Sequence, residues 1–338
     1  MVRSFMKVRK QAMFNSHKCY VVDTKPAMIQ NTPQYQRLLN RVMASSMHHA
    51  KLEEVYKNLA NGGPAQEKRL YLPEFSVPLR KNLFGLYRIN VSVNDIEKSF
   101  LLDTGAQVSA ITEKCAKECG CESNQGVMQI ESFAGSAKEL SAAVVKKLRV
   151  GALELVNQPM VLSSLQDISP TLFGISLTGI EGSLGWDILS QLDFEIDDAN
   201  RTFNVIQYQD EVSSCNMISG MFPTLVVLNG KKEYALAGFD SGAKTSWISE
   251  HIIDDDKIKK VDDGEAIVLG VHGLETTHLS LVNEVRFKFH QSNLVFENII
   301  TGRTNIFKDL EFDAVFGNEI IRKRKIRFIN SQNFAQII

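Results

Sequence analysis

The stretch FLLDTGAQVSAIT, residues 100–112, sets an aspartate between an apolar run and a glycine, with a hydroxyl beside it. The phrase returns at residues 239–249 as FDSGAKTSWIS, with an acid, a hydroxyl, a glycine and an alanine in the same order. Each copy is reached through a similar segment. VSVNDIEKSFLLD (91–103) and VVLNGKKEYALAGFD (226–240) both read as a hairpin, turning at Asn94-Asp95 and Asn229-Gly230, whose second strand ends at the acid. Further on, SFAGSAKEL around Gly135 and GVHGLETTHL around Gly273 give a second candidate hairpin in each half. Then GSLGWDILSQLDFEI (182–196) and AVFGNEIIRKRKIRF (314–328) each place two apolar-rich residues before a glycine, followed by a short helix and a closing strand. Two such phrases in matched surroundings mark two copies of one module.

The rest of the sequence bounds what this duplication can be. At 338 residues the chain can hold two domains, and a hydrophobic fraction of 44% with 23% charged residues fits an ordinary folded protein. A formal net charge of -1 gives no general attraction to nucleic acid or to acidic membranes. The densest basic run, Arg322, Lys323, Arg324, Lys325 and Arg327, reads as the cationic end of a short helix. The five cysteines, an odd number with no secretory h-region in front of them, predict a reducing compartment, hence a cytoplasmic protein. No run of eighteen apolar residues suggests a membrane span. Cys115 and Cys119, with no histidine nearby, read as a buried thiol pair, and no metal is expected.

Residues 1–70 differ from the remainder. From Pro33, with Thr32 as cap, Leu38, Leu39, Val42, Met43, Met47, Leu52, Val55 and Leu59 recur at helical spacing until Asn61-Gly62-Gly63-Pro64. One or two amphipathic helices follow from this, their stripe packing on the main body; a self-association face over residues 33–61 and an inhibitory prosegment are the alternatives. His48 and His49, adjacent on this stretch, read as surface residues. Beyond residue 70, alternating β-branched and aromatic runs cut by Asn and Gly turns predict a mainly β protein. The expected divisions are 1–70, 71–210 around DTGA, and 211–338 around DSGA.

If the halves pack about a pseudo-two-fold axis, Asp103 and Asp240 can meet face to face. Two carboxylates in contact cannot both ionise cheaply, so they share one proton and titrate as a pair. Such a pair can hold a water: the ionised acid takes its proton while the protonated one bonds the scissile carbonyl, and the roles then exchange to protonate the leaving amine. No covalent intermediate, metal or cofactor is required. Gly105 and Gly242 let the backbone turn tightly and bring an amide to a carboxylate. The hydroxyls of Thr104 and Ser241 can bond across the axis.

The DTGA and DSGA phrases, with SLG and VFG downstream, resemble the aspartic peptidases that include pepsin and the retroviral proteases. The alanine after each DTG or DSG and the short spacing are more similar to the retropepsin-type module, here doubled in one chain over about residues 71–338. The resemblance implies a pseudo-two-fold pair of retropepsin-like β-barrel domains behind a short helical N-terminal region. It implies Asp103 and Asp240 as the catalytic dyad, the kind of acid pair for which shared-proton titration is best known. Thr104 and Ser241 would form the interlocking hydroxyl grip beside Gly105 and Gly242, and Gly185 and Gly317 would support the active loops. The hairpins with Phe133 and Gly135, and with His272 and Gly273, would be flaps closing over an extended polypeptide substrate. Pepsin-like enzymes carry a tyrosine in the flap, whereas Phe133 and His272 stand here. Alanine at 106 and 243, where pepsin-like enzymes often place a serine, implies a less stabilised anion and an activity optimum nearer neutral than pepsin's.

The expected activity is therefore aspartic-type endopeptidase, complete in one monomer. The alternative on the same fold is a catalytically inactive peptide-binding or scaffolding protein, since a fold does not fix a chemistry. Sequence handles for serine nucleophiles, zincins and P-loops (GxSxG, HExxH, GxxxxGK[ST]) are absent.

Overall fold

The computed structural model describes residues 17–45, 52–60, 63–131, 137–163, 171–172, 175–176, 179–253, 258–270, 273–301, 305–307 and 310–338. The strand Tyr87–Val93 alternates buried and half-buried positions along its whole length, the period-2 signature of a sheet with one face in the core. It turns at Asn94 and Asp95, both in the left-handed region (φ 48° and 69°), into Ile96–Leu102, and that strand delivers Asp103. This is the tight turn expected of Asn-Asp. The second hairpin differs from expectation: Thr224–Asn229 and Tyr234–Phe239 are joined by a longer loop rather than a two-residue turn at Asn229-Gly230. Asn229 Oδ1 accepts from the amides of Lys231 and Glu233, and Lys232 takes the left-handed conformation (φ 63°).

Each half builds a nine-stranded sheet among the described residues, and the two have the same central order. In the first, Gly182–Leu184 lies between the strand that brings Asp103 and the strand Ala110–Thr112 that leaves it, parallel to the former and antiparallel to the latter. In the second, Ala314–Phe316 stands in the same relation to Tyr234–Phe239 and Trp247–Ile248. The chain is mainly β, two halves of the same central topology related as a pseudo-two-fold pair.

A five-stranded antiparallel sheet interleaves the halves in the order Phe334–Ile337, Lys325–Ile329, Asp193–Asp197, Thr202–Val205 and Phe75–Pro78. Behind it Phe194 and Phe328 stack at 5.0 Å, with Trp186 and Phe239 packed edge-on or tilted against Phe328. The basic run also lies here, which corrects its reading as a helix end. Arg322 closes a 3-10 turn, and Lys325 and Arg327 belong to a strand. Both ion-pair with buried Glu195 of the other half, at 2.9 and 2.6 Å.

The predicted N-terminal helices are present as α1 (Pro33–Met43), capped by the Thr32 hydroxyl accepting from the Tyr35 amide at 3.2 Å, and α2 (Leu52–Ala60). Their stripe turns inward: Leu38, Val42 and Leu59 share a buried cluster with Val108, Ala142, Phe222, Leu310 and Phe312. Two strands flank the helices that helical periodicity could not announce. Lys18–Asp23 pairs with residues 292–297 on the edge of the second sheet, and Glu67–Leu70 pairs with residues 153–156 on the edge of the first. Cys115 and Cys119 are buried with their sulfurs 4.0 Å apart, and burial raises both thiols. His48 and His49 lie outside the described residues. Among the described residues no helix is long and apolar enough to cross a membrane.

Candidate active site

Asp103 and Asp240 are brought together at the floor between the halves, each half-buried and hydrogen-bonded to the other. Their neighbourhood is reciprocal. A β-carbon on Gly105 would fall on the Asp240 carboxylate, and one on Gly242 would come 2.5 Å from Asp103 Oδ1. These glycines are required by the opposite half's acid, a closer constraint than tight turning alone. Each carboxylate also receives its own loop's amides: Asp103 Oδ1 from Gly105 and Ala106 at 3.0 and 3.1 Å, Asp240 Oδ1 from Gly242 at 2.7 Å.

The hydroxyls beside the acids interlock across the axis. Thr104 Oγ1 donates to the carbonyl of Phe239 (2.7 Å) and accepts from the Ser241 amide (2.9 Å). Ser241 Oγ donates to the carbonyl of Leu102 (2.7 Å) and accepts from the Thr104 amide (2.9 Å). Both side chains are fully buried, so these four bonds satisfy groups that water cannot reach.

Electrostatics splits the pair. Burial holds Asp103 above the ordinary carboxylate range, opposed by the amides of Ala106 and Gly105 and by its bond to Asp240. Burial first, and then the charge of Asp103, push Asp240 well above that range. Acids this close titrate as a pair.

A supporting tier lies beneath the loops. Gly185 and Gly317 close-pack on them, since added β-carbons would meet the carbonyl of Ala106 at 2.8 Å and that of Thr245 at 2.7 Å. Their amides donate to Ser109 Oγ (2.9 Å) and Ser246 Oγ (3.0 Å). Two residues beyond each glycine stands an acid: Asp187 Oδ1 accepts from the Ser109 amide and hydroxyl (2.9 and 2.7 Å), and Glu319 Oε1 from the Ser246 amide (2.7 Å). Burial pushes Asp187 up to about 6. Sequence reasoning passed over Ser109, Ser246, Asp187 and Glu319, although both serines stand six places after the aspartates and both acids two after the glycines.

Residues 89–177 match the family model described as "gag-polyprotein putative aspartyl protease". The matched segment holds the first aspartate phrase and the strands around it. Among solved structures, a retropepsin-like aspartic protease from Rickettsia conorii is similar over 42% of this chain and 92% of its own, with 19% identity and a TM-score of 0.27. No curated protein matches the sequence. The expected flap hairpins are strand pairs, Glu122–Glu131 with Ala137–Val150 and Ile258–Gly270 with Gly273–Phe289. Gly273 opens its strand, paired with Gly270, while Phe133, Gly135 and His272 lie outside the described residues. Among the described residues no cluster of His, Cys, Asp and Glu has the form of a metal site.

Proposed function

We propose that this chain is an aspartic endopeptidase that hydrolyses extended polypeptide segments with a water activated between Asp103 and Asp240. One observation carries the reading: each carboxylate nests on the glycine of the opposite half and bonds the other acid. A pair sharing one proton is poised for both halves of the reaction. The ionised acid accepts a proton from water as its oxygen attacks the scissile carbonyl carbon, and the protonated acid gives its proton to the carbonyl oxygen. As the tetrahedral intermediate collapses, the acid now holding a proton delivers it to the departing nitrogen, the other acid takes back the hydroxyl proton, and the shared-proton state returns. The residues of the two long hairpins, Phe133, Gly135, His272 and Gly273, are proposed to close over the bound strand. Residues 71–210 and 211–338 together supply both acids, so one monomer suffices.

The test is cleavage of a diverse peptide library by the full chain between about pH 4 and 8, beside Asp103→Asn and Asp240→Asn. Cleavage should disappear in both variants, by at least about 10³-fold in kcat if the acids act as a unit. A full chain that binds peptides without cutting them would replace this reading with that of a peptide-binding scaffold. The pH profile is a separate expectation. Ala106 and Ala243 add no hydroxyl to hold the anion, and burial raises both acids, so the optimum should lie nearer neutral than pepsin's. A rate maximum below about pH 4 would contradict it.

A further inference from the structure

The acids of the supporting tier each have a second oxygen, and the N-terminal region takes both. Tyr56, buried on α2, donates its hydroxyl to Asp187 Oδ2 at 3.1 Å. His17, immediately before the strand Lys18–Asp23, meets Glu319 Oε2 through Nε2 at 2.5 Å. The two contacts are equivalent under the pseudo-two-fold relation, because Asp187 and Glu319 occupy matched positions beneath the two aspartate loops. They are also reached from one continuous region that crosses between the halves. Its first strand is on the second sheet, α1 and α2 bury Leu38, Val42 and Leu59 in the cluster that includes Val108 of the first aspartate loop, and its last strand is on the first sheet.

A carboxylate tied at one oxygen can still swing, whereas one tied at both holds the serine amide, and through it the loop, in a single geometry. Dyads need placement to within about 0.5 Å, so this second tie bears on chemistry as well as stability. We propose that Tyr56 and His17 are positioning residues, each fixing one aspartate loop through Asp187 or Glu319, so that residues 17–70 are a working part of the site and not a removable inhibitory segment. The catalytic side of this statement rests on the peptidase reading above, and the structural side stands without it.

The test uses full-length chain. Tyr56→Phe removes only the hydroxyl, His17→Leu removes the imidazole donor, and His17→Gln restores a donor. Amide hydrogen exchange is followed at Ser109 and Gly185 in the first loop and at Ser246 and Gly317 in the second. Tyr56→Phe should speed exchange at the first pair by about tenfold and leave the second within about twofold; His17→Leu should do the reverse, and His17→Gln should return it toward the parent. On any peptide the parent cleaves, kcat should fall about three- to tenfold in Tyr56→Phe and His17→Leu with KM held. Exchange unchanged in both variants, or both loops loosening together, would overturn the proposal, as would loosened loops with parental kcat. A parent that cleaves nothing would instead remove the peptidase reading, and the exchange pattern would still decide whether the ties hold the loops.

Discussion

Asp240 carries an ionisable proton in an unfavourable place for losing it, partly buried and against a second acid. The sign of its effect on stability follows from linkage. A carboxyl group whose folded pKa is raised binds its proton more tightly in the folded than in the unfolded chain. It therefore takes stability away as pH climbs from the ordinary carboxylate range through the folded value. The cost is about 1.4 kcal/mol for each tenfold gain in proton affinity. Asparagine at this position cannot ionise, so Asp240→Asn should lack that loss. Its thermal midpoint relative to the parent should be higher at about pH 7 than at about pH 4, in a melt read by circular dichroism at both values. An offset independent of pH would mean that the pair does not hold its proton as described. Asp187, raised by its own burial, contributes equally to both proteins and cancels in the comparison.

At the scale of elements, α1 and α2 show why helix and turn signals differ in reach. The start of α1 was readable because a cap is local: Thr32, Pro33 and the Tyr35 amide lie within one turn. The Asn94-Asp95 turn was readable for the same reason, whereas Asn229-Gly230 opens a longer loop whose left-handed residue is Lys232. The strand Lys18–Asp23 left no alternation to read, since it is added to a sheet edge with most of its residues exposed and owes its form to residues 292–297. In the basic run, the partner that decides its role, Glu195, belongs to the other half. The dyad, its hydroxyls and its glycines were readable because they recur in the sequence. Tyr56 and His17 occur once each and find their partners 131 and 302 residues away, where no local pattern points. The inward stripe has a measurable consequence. Leu59 is fully buried against both the helices and the first sheet, so Leu59→Ala should cost about 2–4 kcal/mol in urea unfolding. A loss under about 1 kcal/mol would show that α2 lies loosely on the body instead of within its core.

For the molecule as a whole, the five-stranded sheet decides how the halves behave together. Asp193–Asp197 of the first half pairs along its length with Lys325–Ile329 of the second, and the aromatic side chains behind that seam come from both. The hydroxyl grip adds four buried bonds whose partners lie in opposite halves. Separating the halves would exchange all four for bonds to water, at a net loss of about 0.5–1.5 kcal/mol each, and would expose the aromatic cluster behind the seam. Opening one half alone is therefore disfavoured, and the chain should unfold in a single transition despite its length. Its two tryptophans allow this to be read directly, because Trp186 stands in the first half and Trp247 in the second. In Trp247→Phe the fluorescence of Trp186, packed on Phe328, reports the seam between the halves, and in Trp186→Phe that of Trp247 reports the second half. In each variant the fluorescence transition in urea should coincide with that of far-ultraviolet circular dichroism, which follows both halves at once. A signal that changes before the dichroism does would mean that the seam, for Trp186, or the second half, for Trp247, opens ahead of the rest and that the halves are not coupled. Coincidence in both variants would mean that neither aspartate loop can be disordered without losing the fold, as expected of a site whose acids each rest on the other half's glycine.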